Sequence, residues 1–196
     1  VDNIEPKRVP NALLFGIAIH KGMEGYYESP KAPVGKRINK AKELFKESLE
    51  SSFNLYEYHD RYHDDMKRGL KALEEYGLHY ASDRWIIRAM ETTCSALLTD
   101  KVLLTGRIDL GATVESGRFY LIDHKTTGWS LQSYRRTLEA SDQATAYKLL
   151  WDATHPDMPV YGTIFNIIRS YKGEVDFDRL VVTVTPQDVE EFRLDA

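Results

Sequence analysis

Asp109 stands in "GRIDLGATV", and Asp123 and Lys125 stand in "YLIDHKTT", two segments that are otherwise largely apolar. A carboxylate on an apolar strand is costly to bury unless something pairs with it. Asp123 and Lys125 are two residues apart, so on a strand they project from one face. A tight turn at Glu115-Ser116-Gly117 makes the two segments antiparallel neighbours, which brings same-face residues close together. Two carboxylates and an ammonium on one patch suit a hard divalent cation, which takes oxygen ligands. Such a cation polarises a phosphoryl oxygen and lowers the pKa of bound water. The lysine can orient that water or stabilise charge on the phosphate. The spacing is also compatible with a plain ion pair between Asp123 and Lys125 at a strand end.

The elements that position these residues follow from periodicity. Residues 11–28 carry an apolar stripe (Leu13, Leu14, Ile17, Met23) and read as a helix. "SPKAPVGKRIN", with its prolines and glycine, reads as a loop. A helical, tyrosine-rich pattern runs from about Asn39 to Tyr80, with a break expected near Gly69 or Gly77. Residues 85–98, 101–114 and 118–125 read as successive strands. Residues 141–154 read as a helix capped by Ser141, with Ala144, Tyr147, Leu150 and Trp151 on one face. "VYGTIFNIIRS" and "RLVVTVT" are further strands, and "PQDVEEFRL" opens a last helix with Pro186 in its first turn. The order predicts an α/β fold, a central mixed β-sheet flanked by helices, in a single domain over 1–196.

Bulk composition narrows the classes. With 42% hydrophobic and 29% charged residues the chain reads as an ordinary globular protein. No apolar run approaches the ~18 residues of a membrane span, and the opening segment lacks the pattern of a secretory signal. No membrane association and an intracellular, cytoplasmic setting are therefore expected. Cys94 is the only cysteine, which excludes an internal disulfide or a four-cysteine metal site within this chain. The chain opens on Val1, so trimmed termini are expected. A net charge of −4 does not announce a nucleic-acid binder. Basic residues nevertheless gather between Lys31 and Lys46, at Arg135-Arg136, and at Arg169 and Lys172, clusters that also read as solvated faces.

"GRID", "LIDHKTT" and "QATAY", in that order, resemble the GxxD, DxK and QxxxY motifs of the PD-(D/E)XK nuclease superfamily. Upstream, "FGIAIHKGMEGYY" resembles the first motif of its RecB-like exonuclease branch, found in recombination, CRISPR-associated and phage nucleases. The resemblance covers roughly residues 14–150 and implies a restriction-endonuclease-like core. It also implies Mg2+- or Mn2+-dependent hydrolysis of DNA, on single strands or duplex ends, leaving a 5′-phosphate and a 3′-hydroxyl. By this resemblance His20, Asp109, Asp123 and the backbone carbonyl of His124 would hold the metal, and Lys125 would act on the attacking water. Gln143 and Tyr147, one helical turn apart, would position the active site and substrate strand, with core packing as the other reading of Tyr147. Ile108 stands where some relatives carry proline. The iron–sulfur cysteines of many relatives have no counterpart within this chain, so a cluster is not supported here: either this member lacks one or the termini that would carry the cysteines are missing.

Other residues are accessory candidates. Glu24 lies one turn beyond His20, and Glu91 sits on a strand that could approach the same patch. Arg107 and Thr126 could reach phosphate or serve structure alone. Trp129, Tyr134, Arg135 and Arg136 follow directly on "DHKTT" and are the candidates for contact with a DNA strand. Tyr56, Tyr58, Tyr62 and Trp85 are further rings that could stack on bases or pack in the core. Two competing functions remain: a non-catalytic DNA-binding or scaffolding protein of the same fold, and a zinc hydrolase built on His59 and His63 in "HDRYH". Protein partners are unknown from sequence.

Overall fold

In the computed structural model, which describes residues 9–56, 61–99 and 101–194, the chain divides into two units, Val1–Ala81 and Ser82–Ala196. The first unit is helical: α1 (Asn11–Glu28), α2 (Val34–Tyr56) and α3 (Tyr62–His79). In α1 the buried stripe runs through Leu14, Phe15, Ala18, Ile19 and Met23, leaving Leu13 and Ile17 of the expected stripe exposed at its margin. Helix α2 starts at Val34, ahead of the expected Asn39, because Pro33 ends the loop and its carbonyl accepts the Lys36 N–H at 2.9 Å. Gly69 and Gly77 do not break α3. A Cβ at Gly69 would lie 2.0 Å from Phe45 and one at Gly77 2.3 Å from Ile38, so these glycines let α3 pack closely on α2. His59 and Tyr58 fall outside the described residues.

The second unit holds β1 (Ile86–Leu97), β2 (Leu103–Thr113), β3 (Phe119–Thr127), α4 (Leu131–Glu139), α5 (Gln143–Thr154), β4 (Gly162–Tyr171), β5 (Glu174–Thr183) and α6 (Pro186–Leu194). The strands form one five-stranded sheet in sequence order. Every neighbouring pair is antiparallel except β3 with β4, which are parallel. Parallel neighbours need a long crossover, and α4 and α5 supply it. The fold is α/β with a mixed sheet flanked by helices, as the order of periodicities predicts. Among the described residues no helix is long and apolar enough to cross a membrane.

Two differences from the sequence reading have local causes. Helix α4 was not expected; Ser130 caps it, its hydroxyl accepting the Ser133 N–H at 3.2 Å. Strand β5 begins at Glu174 rather than Arg179, because Lys172 and Gly173 both take positive φ (49° and 83°) and close a tight hairpin on the Tyr171–Glu174 pair. On one face of the sheet, two apolar clusters meet α4 and α5. Ile108, Phe119 and Leu121 pack with Leu149, Leu150 and Trp151. Phe165, Ile167 and Leu180 pack with Leu138 and Ala144. The indole N–H of Trp151 donates to the Met158 carbonyl at 2.9 Å and anchors the end of α5.

Candidate active site

Strand β3 is the central strand, and its alternation sorts its last residues between two faces. Asp123 and Lys125 share the face of Phe165 and Ile167, their register partners on β4, and so look toward α5. Asp123 is 3% exposed. Its Oδ1 accepts the Tyr147 hydroxyl at 2.9 Å, and the Gln143 amide donates to that hydroxyl at 2.7 Å. The spacing of four residues on α5 thus becomes a hydrogen-bonded line from Gln143 through Tyr147 to Asp123. Tyr147 also packs against the apolar cluster of α5, as the core reading of this ring expects. The N-cap of α5 is Asp142 rather than the expected Ser141, whose hydroxyl one residue earlier accepts the Gln143 N–H at 3.2 Å.

The other oxygen of Asp123 meets Lys125. The ammonium lies 2.6 Å from Oδ2 as an ion pair, although off the direction of a hydrogen bond. Asp109 completes the patch from the neighbouring strand. Backbone pairing between β2 and β3 runs from Thr113–Phe119 to Leu110–Ile122. At the next position the Asp109 side chain takes over, its Oδ2 accepting the His124 N–H at 2.9 Å. A carboxylate therefore stands where the two strands part, which accounts for a charge amid apolar neighbours.

Burial pushes the Asp123 carboxyl upward in pKa, the Lys125 ammonium opposes this, and the nearby Asp109 charge adds to the rise. The Tyr147 hydroxyl is pushed up by burial and by Asp123, so it remains a donor. Burial also raises Tyr134, whose ring lies within electrostatic reach of Lys125 and Asp123. Two hard oxygen donors that repel each other, one buried, fit a divalent cation. Within the second unit no three His, Cys, Asp or Glu side chains among the described residues are gathered to hold an ion by themselves. The patch thus fits an ion that fills its other positions from water and backbone carbonyls.

The opposite face of β3 carries residues that sequence reading missed. The buried His124 ring meets the Asn166 amide at 2.8 Å. The guanidinium of Arg179 donates to Asn166 at 3.3 Å and to Asp83 at 2.5 Å, and lies 4.1 Å over the Trp85 ring. His124, Asn166 and Arg179 are register partners across β3, β4 and β5. This polar row braces the strand segment whose other face bears Asp123 and Lys125. It also engages Trp85, so that ring is a core residue.

The accessory candidates fall in several places. His20 and Glu24 are half-buried on α1 in the first unit, with Glu24 ion-paired to Lys21. Glu91 lies between the Met90–Leu110 and Thr92–Ile108 pairs, the position facing Asp109, and has φ 47°. A left-handed backbone on a strand glutamate is strained, and its carboxylate is paired with Arg107 at 2.6 Å. Thr126 is half-buried opposite Ile168. Arg135 is engaged by Asp178 at 2.6 Å, Tyr134 packs partly into an apolar cluster, and Trp129 and Arg136 are exposed. Tyr62 packs 4.6 Å from Phe53, and His63 lies beside it on α3.

The family model described as the PD-(D/E)XK nuclease superfamily matches residues 1–195. The chain belongs to that superfamily. Membership in the PD-(D/E)XK superfamily, whose members are typically metal-dependent nucleases, fits the acidic pair and lysine on β2 and β3. No curated protein matches the PD-(D/E)XK chain.

Proposed function

We propose that this chain is an Mg2+- or Mn2+-dependent DNA exonuclease of the RecB-like branch, acting on single strands or duplex ends and leaving a 5′-phosphate and a 3′-hydroxyl. The observation that carries the reading is the joined arrangement of Gln143, Tyr147, Asp123 and Lys125, with Asp109 on the adjacent strand. Asp109, Asp123 and the His124 carbonyl would hold the cation. When bound, that ion supplies polarisation of a phosphoryl oxygen and a more acidic water. Lys125 orients the attacking water or stabilises charge on the phosphate. Tyr147, held by Gln143, fixes the Asp123 carboxylate so that its other oxygen faces the reaction. The family match across both units supports reading 1–195 as one nuclease domain.

The test is cleavage of an end-labelled single strand and of a blunt duplex in Mn2+ or Mg2+. Shortening from an end, stopped by EDTA, with products that a polymerase extends from their 3′-hydroxyls, is the expected result. Intact DNA with every divalent ion supplied overturns the reading. Tyr147→Phe keeps the ring in its apolar seat but removes the donor to Asp123. It is expected to slow cleavage about 10- to 100-fold without loss of folded protein, as measured by steady-state rates at saturating Mn2+. A rate equal to wild type contradicts the role of the hydroxyl.

A further inference from the structure

We propose that the tip of the β4–β5 hairpin and the segment after β3 form a stacking platform for unpaired bases, which makes single-stranded DNA the preferred substrate. The inference rests on the nuclease reading above and specifies where the strand lies. Because β3 and β4 are parallel, their C-terminal ends emerge at one edge of the sheet, with Thr127 opposite Arg169. Two residues later β4 ends in Tyr171, and the turn at Lys172 and Gly173 fixes the tip through its positive φ values of 49° and 83°. The segment after β3 passes beneath that tip: a Cβ on Gly128 would lie 3.9 Å from the Tyr171 ring. Trp129 follows, its backbone N–H bonded to the Thr127 hydroxyl at 3.0 Å.

Trp129 is 63% exposed and Tyr171 44%. The other two tryptophans, Trp85 and Trp151, are buried, so the exposed indole is a departure within this chain. The rings lead back to the reaction centre. Trp129 meets Tyr134 edge-on, with centroids 6.4 Å apart, and the Tyr134 hydroxyl feels the charges of Lys125 and Asp123. At the other end the Lys172 ammonium lies 5.2 Å from the Tyr171 centroid, on an exposed turn where it can meet phosphate. Of the acids of β5, Asp176 is ion-paired with Arg169 and Asp178 with Arg135, while Glu174 is exposed 3.8 Å from Arg169. Aromatic faces beside a cation bind successive unpaired bases by stacking, whatever the sequence. Bases inside a duplex are already stacked and offer no free face to such rings, so the platform selects single strands.

The measurement is the anisotropy of a fluorescent 20-nucleotide oligothymidylate and of a blunt 20-base-pair duplex, each titrated with the full chain carrying Lys125→Ala to prevent cleavage. Adding Trp129→Ala or Tyr171→Ala is expected to weaken single-strand binding between about 5- and 100-fold each, with duplex affinity unchanged. Trp129→Phe and Tyr171→Phe should restore most of the loss. Hydrolysis of bis(4-nitrophenyl) phosphate by the wild type, a phosphodiester without bases, reads the reaction centre independently of the platform. Unchanged single-strand affinity in the double variant, or an equal loss on the duplex, overturns the platform and leaves the nuclease reading standing. Failure of the wild type to cleave any phosphodiester overturns the nuclease reading itself.

Discussion

Lys125→Ala is expected to lower the rate of DNA cleavage about 100- to 1000-fold, the usual effect of removing one preorganised group that stabilises developing charge. The ammonium stands 2.6 Å from Asp123 Oδ2, beside the two carboxylates. Its removal takes a positive charge away from an acidic patch, so the patch attracts a cation at least as strongly as before. The signature is therefore a fall in kcat with Mn2+ affinity retained, read from single-turnover rates across a Mn2+ titration. Equal cleavage by variant and wild type rejects the role of the lysine. Loss of Mn2+ affinity in parallel with rate assigns Lys125 instead to holding the site together.

Asp123→Asn is expected to abolish cleavage, with a loss on the order of 1000-fold or more, and at the same time to stabilise the metal-free protein. The two effects share one cause. Asp123 is buried beside Asp109, and its carboxyl is pushed above the usual carboxylate range chiefly by that burial. The folded chain thus binds this proton more tightly than the unfolded chain does. The corresponding stability is complete below the unfolded carboxylate value and is lost as pH rises through the raised folded value. In EDTA, the Tm of the wild type should fall relative to Asp123→Asn as pH is raised from the acidic range toward neutrality. At neutral pH the variant should melt higher, on the order of 3 °C. A parallel pH dependence in the two proteins, or a lower Tm for the variant at neutral pH, contradicts the strained carboxylate.

Much of this arrangement is legible in the residues because it depends on short spacings. Asp123 and Lys125 share a strand face, and Gln143 and Tyr147 share a helix face, through periodicity alone. The turn at Glu115-Ser116-Gly117 likewise announces the β2–β3 hairpin, where Gly117 takes φ 79°. The contact of the Tyr147 hydroxyl with Asp123 is different in kind. It joins residues 24 apart in sequence, and only the packing of α5 on the sheet makes it.

The bracing row behind β3 was invisible for the same reason. His124 and Asn166 are 42 residues apart, and Arg179 and Asp83 are 96 apart, so no local pattern links them. The only available signal is an asparagine inside the apolar strand "TIFNII", which asks for a buried partner without naming it. Helix boundaries failed where glycine was read as a breaker. Gly69 and Gly77 instead make room for Phe45 and Ile38, a role that depends on the neighbouring helix rather than on the residue's own backbone. The exposure of Trp129 and Tyr171 is also a tertiary property, since an aromatic in a sequence reads first as core.

The most direct test of the account is Mn2+ binding followed by electron paramagnetic resonance, which reads free ion in the presence of wild type or of Asp123→Asn. The wild type should remove Mn2+ from solution with a saturable stoichiometry, and the variant should leave most of it free. Equal depletion by both proteins, or none by the wild type, contradicts a cation site at Asp109 and Asp123.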